Sequence, residues 1–107
     1  MKNNIVTKDD YLLYFGTNLD MEIPKGDNPN GRTERYIWRV EQYCKNILTK
    51  FKYQEINDDN IYYYKQGVML MIYHSLRVGF VNLKGFTDEA FNAFRQGGFC
   101  NVPKVVL

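Results

Sequence analysis

"IYYYKQGVMLMIYH", residues 61–74, holds a single charged side chain, Lys65, among rings and aliphatic residues. Its spacing predicts a helix. At about 100° per residue, Ile61, Tyr64, Val68, Met71, Ile72 and Ser75 fall on one face. The opposite face, Tyr63, Leu70, Tyr73, His74 and Arg77, is largely apolar or aromatic as well. A surface helix keeps its second side polar, so a helix apolar on two sides must be covered twice, by its own chain or by another. Asn57, Asp58 and Asp59 supply a cap and first-turn acids and Gly79 a stop, which predicts a helix over about 61–78.

The segments around it are helical too. From 32 to 52, Tyr36, Ile37, Val40, Tyr43, Cys44, Ile47, Leu48 and Phe51 recur at spacings of three and four. Thr7 with Asp9 and Asp10 opens a short helix over about 7–15 that Gly16 ends. Thr87 with Asp88 and Glu89 opens another, TDEAFNAFRQ, stopped by Gly97 and Gly98. Between the first two lies a long loop, 16–31, rich in Gly, Pro, Asn and Asp. In it Leu19, Met21 and Ile23 alternate with polar residues and predict a short extended piece. The closing FCNVPKVVL, with Pro103 and three valines, predicts an extended tail. The fold class is all-α: a small bundle of about four helices, 1–98, with a long 16–31 loop and an extended C-terminal arm, 99–107.

Composition bounds the function. A chain of 107 residues suits one domain. A net charge of +2 with one histidine is too mild to point by itself to nucleic acid or membrane. No apolar run approaches the roughly 20 residues a bilayer span needs, and no secretory signal is expected from MKNNIVTKDD. Cys44 and Cys100 have neither disulfide-scaffold nor zinc spacing and read as buried hydrophobes of a cytoplasmic protein. Nine Tyr, seven Phe and one Trp against two Ala point weakly to an assembling surface, because rings are enriched at interfaces, though a ring-filled core explains them equally well.

Catalytic signatures are wanting. No glycine pair precedes a helix as a phosphate loop must, His74 has no cysteine at ligand spacing, and the acid pairs Asp9–Asp10 and Asp58–Asp59 stand where helix starts favour acids. Neither enzymatic activity nor a metal, cofactor or small-molecule substrate is expected.

The predicted helix 32–52 carries Arg32, Arg35, Arg39 and Lys50 away from its apolar stripe, with Glu34, Trp38, Glu41 and Lys45 on a flank. A solvated charged face accounts for the charges. Trp38 is out of place there, and Trp beside Arg is the composition of interface hot spots. The residues selected as a subunit interface are therefore Arg35, Trp38, Arg39 and Glu41, with Tyr63, Leu70 and Tyr73 from the second side of the helix 61–78. Phe99, Val102, Pro103, Lys104, Val105, Val106 and Leu107 are selected as a docking arm for a partner, with a frayed end as the equal alternative.

A capped opening TKDDYLLYFG, a loop with TNLDMEIP, a long helix RTERYIWRVEQYCKNIL, a second long helix and a closing TDEAFNAFRQGGFCN together resemble the head-tail connector (adaptor, or head-completion) proteins of tailed bacteriophages. The likeness spans about 7–101 and lies in patterning and element order, with no catalytic signature; the loop at 24–31 departs from it. It implies a structural virion protein at the neck, assembled in the host cytoplasm. Copies would form a ring beneath the portal protein that extends the DNA channel, and would bind the next neck or tail protein. DNA would be passing content of the channel, and the arm 99–107 would contact the portal. Two alternatives remain at this level: a small regulatory or nucleic-acid-binding protein using the Arg32, Arg35, Arg39 stripe, and an enzyme accessory subunit or inhibitor.

Overall fold

The computed structural model describes residues 4–23, 31–51 and 54–100. Among the described residues five α-helices follow one another: α1 (Lys8–Phe15), α2 (Leu19–Glu22), α3 (Arg32–Leu48), α4 (Ile61–Val78) and α5 (Asp88–Gln96), with a 3-10 turn at Phe80–Asn82. No strand occurs among the described residues, so the chain is all-α.

α4 is the central element. Tyr64, Val68, Met71, Ile72 and Ser75 are all buried, as the stripe predicts. α3 packs on this side: the Tyr36 hydroxyl lies 2.6 Å from that of Ser75, and the Tyr64 hydroxyl donates to Glu41 of α3. α5 is the most extensive neighbour of α4. Its Phe94 ring, fully buried, sits over Gly67, where a β-carbon would come within 2.5 Å of the ring. Phe94 is ringed in turn by Phe86, Phe99 and Tyr64, at centroid distances of 4.7, 6.4 and 6.2 Å.

The second side of α4 is covered by the same chain. Tyr73 stacks on Phe15 of α1, centroids 5.0 Å apart and planes 17° from parallel. Leu70 is half-buried against the core, in a small cleft shared with Phe15, Thr87 and Glu89. Tyr63 borders Gly97, where a β-carbon would meet its own at 2.9 Å. A helix apolar on two sides is thus a helix between neighbours.

Capping follows the sequence closely. Thr7 and Asp10 form a reciprocal capping box at α1, Gly16 ends that helix in the left-handed conformation at φ 74°, and the Thr87 side chain accepts from the Ala90 amide at α5.

Three expectations are corrected. The extended piece at 19–23 is the short helix α2: Leu19 and Ile23 satisfy both period two and an i, i+4 spacing, and Met21, 83% exposed, shows that the helical spacing holds. The Asn18 side chain caps it by accepting from the Asp20 amide. α3 ends at Leu48 and not near 52, because Lys50 and Phe51 bond only three residues back, to Ile47 and Leu48. The bundle continues past 98. Phe99 and Cys100 are each 1% exposed, the Phe99 amide donates to the Phe94 carbonyl, and its ring meets Tyr64 at 5.7 Å. Phe99 is therefore a core residue and not part of a docking arm. The rest of that arm (Val102, Pro103, Lys104, Val105, Val106, Leu107) and most of the 24–31 loop lie outside the described residues.

Candidate functional site

Several titratable residues are committed to structure. Asp10 closes the α1 capping box and pairs with Lys65 of α4 at 3.3 Å. Asp58 and Asp59 are exposed in the turn before α4, where the Asp59 amide donates to Asn57. Asp20 is a junction: Lys8 pairs with it at 3.0 Å, the Thr33 hydroxyl donates to it, and Arg32 donates to its carbonyl at 2.7 Å. The Thr33 and Lys8 contacts hold its carboxyl below the ordinary range. Cys44 is sealed in the core, where burial and then nearby Glu41 push its thiol up; burial alone raises the Cys100 thiol to about 11. Neither is a ready thiolate at neutral pH. Among the described residues no three His, Cys, Asp or Glu side chains gather as metal ligands, and no helix is long and apolar enough to cross a membrane.

The residues selected for an interface separate into two groups. Glu41 is overturned as a surface residue: it is 2% exposed, its carboxylate accepting from the Val6 amide at 2.7 Å and from the Tyr64 hydroxyl at 2.9 Å. It fastens the N-terminal segment and α4 to α3. Its position was readable, because Ile37, Glu41, Cys44 and Leu48 follow one another at spacings of four, three and four along the apolar stripe. Tyr63, Leu70 and Tyr73 are half-buried by their own chain, and Tyr73 also carries the Arg77 guanidinium over its ring at 4.3 Å. Each keeps some exposed surface, and Leu70 and Tyr73 border the small cleft beside Phe15.

Trp38, Arg35 and Arg39 stay on the outer side of α3. Trp38 is 40% exposed, Arg39 lies over the Phe80 ring at 4.2 Å, and Arg35 is half-buried. With Arg32 held by Asp20 and Arg39 resting on a ring, the arginine stripe is partly spent inside the chain.

A second exposed surface was not anticipated. α1 buries only Tyr11 fully and half-buries Phe15, leaving Leu12, Leu13 and Tyr14 facing out, Leu13 at 86%. Beside it Tyr62, at the start of α4, is 59% exposed. Between α1 and this end of α4 runs a cleft of about 430 Å³, with Leu13, Tyr14, Ile61, Tyr62 and Met69 as its apolar lining and the Asp10–Lys65 pair at its edge. Gln66 donates to the Tyr14 hydroxyl at 3.1 Å and holds one wall in place. The signal for it was present in the sequence: YLLYF gives an eight-residue helix no polar side in its second half.

No protein-family model matches the chain, nor does any curated protein or any solved structure.

Proposed function

We propose that this chain is a structural subunit that works by assembling: a connector of the head-tail kind, whose copies form a ring under a portal protein, extend the DNA channel and offer a surface to the next neck or tail component. The observation that carries this reading is the pair of separate exposed surfaces bearing large apolar side chains, the Trp38 side of α3 and the α1–α4 cleft, on so small a bundle. A ring subunit needs two different surfaces, because head-to-tail contacts join one patch to another. The order and capping of the helices, which carry the likeness to connector proteins, support it as well.

Mixing the protein with its portal and separating the product by size tests this. Co-migration as a complex holding many copies per portal agrees with it; a one-to-one complex with some other protein would instead mark an accessory subunit or inhibitor.

A further inference from the structure

We propose that Met21 is a reversible oxidation site: among the described residues it is the sulfur that a hydroperoxide reaches in the folded protein and that a thiol-dependent sulfoxide reductase restores. This concerns the free chain and holds whether or not copies assemble.

Five sulfur-bearing side chains fall within the described residues, and the fold sorts them. Met69 and Met71 lie on α4, 4% and 0% exposed. Cys44 and Cys100 are buried as well, and burial raises both thiols, so neither offers the thiolate that reacts with a peroxide. Met21 stands alone at 83% exposure. Its position follows from α2, where Leu19 and the following Ile23 turn inward while the Asn18 cap and the Asp20–Thr33 contact fix the turn between them. Residue 21 is left to face water. It belongs neither to the core nor to the side chains packed against the core.

The chemistry balances without help from the protein. A lone pair of the Met21 sulfur takes one oxygen of the hydroperoxide, the O–O bond breaks, and the thioether becomes a sulfoxide as water or an alcohol departs. Two thiols reverse the step: the sulfoxide oxygen leaves as water and the thiols join as a disulfide. A sulfoxide formed in a core disrupts packing. On α2 the added oxygen meets solvent, so the fold persists and the sulfoxide stays within reach of a reductase.

The full chain is treated with hydrogen peroxide at neutral pH, digested, and each peptide weighed, with the Met1 peptide scored separately because Met1 lies outside the described residues. The Met21 peptide should gain one oxygen at least about tenfold faster than the peptides holding Met69 and Met71, since susceptibility follows exposure. Both cysteines should stay unmodified, helix content by circular dichroism should not change, and a mixture of the two epimer-specific sulfoxide reductases with dithiothreitol should return the Met21 peptide to its first mass. In denaturant the three methionines should react alike. Equal rates in the native protein, earlier oxidation of a cysteine, loss of helix on Met21 oxidation, or a sulfoxide the reductases leave in place would each overturn the assignment. Met21→Leu supplies the control: it should abolish the fast uptake outside the Met1 peptide, and fast uptake that persists there would place the reactive sulfur elsewhere.

Discussion

Gly67→Ala is the sharpest test of how α4 and α5 fit together. In an ordinary helix interior this change stabilises by about 0.5–1 kcal/mol, because alanine loses less backbone freedom on folding. Here the added methyl would lie 2.5, 2.6 and 2.8 Å from three atoms along one edge of the Phe94 ring. That ring has no free direction: it is fully buried, with Phe86, Tyr64 and Phe99 around it. Overpacking of a filled core costs about 1–3 kcal/mol, which set against the helix gain leaves a net loss centred near 1 kcal/mol and reaching about 2.5 kcal/mol. On a domain of this size that lowers Tm by roughly 4–8 °C per kcal/mol. Guanidinium unfolding followed by circular dichroism measures it. Pairing the change with Phe94→Leu, which gives the methyl room, should make the double variant more stable than the sum of the two single losses by about 0.5 kcal/mol or more. A Gly67→Ala protein at least as stable as the wild type would refute the close approach of α5 to α4.

Other expectations follow from the same contacts. Tyr64→Phe deprives the buried Glu41 carboxylate of the Tyr64 hydroxyl donor and leaves it the Val6 amide among the described donors, which should cost about 1–3 kcal/mol in chemical denaturation; an unchanged midpoint would mean that Glu41 is solvated. The Asp20 carboxyl is held below its ordinary value of 3.8, so its contacts stabilise the fold at neutral pH and that contribution is lost as pH falls through the lowered value. Asp20→Asn should therefore lower Tm at pH 7 and narrow the difference from wild type in acid; an equal Tm difference at pH 7 and in acid would exclude the mechanism. Cys44 and Cys100 should resist a thiol reagent at pH 8 in the native protein and both react once it is unfolded, and prompt labelling of either would place it outside the core.

Much of this fold is legible because its signals are local. Thr7, Thr87 and Gly16 mark helix ends through side-chain and backbone chemistry within a few residues, and the stripe from Tyr64 to Ser75 needs only a period. Failures came where two periods fit the same residues or where the answer lay in a distant partner. Leu19 and Ile23 satisfy strand and helix spacing alike, and only the exposure of Met21 decides between them. Glu41 lies on an apolar stripe, but its acceptance of hydrogen bonds from Val6 and Tyr64, 35 and 23 residues away, makes the buried position tolerable and is invisible along the chain. Of the candidate site, the exposed Trp38 was readable as a tryptophan off its stripe. The apolar α1 wall of the α1–α4 cleft is readable in YLLYF, but the cleft itself is not, since it forms only when α1 and α4 come together.

Electron microscopy of the protein mixed with its cognate portal tests most directly whether the chain acts by assembling into a ring. The expected result is an added collar of many symmetry-related copies beneath the portal. A bare portal at saturating protein, or a single copy bound to one side, would contradict it.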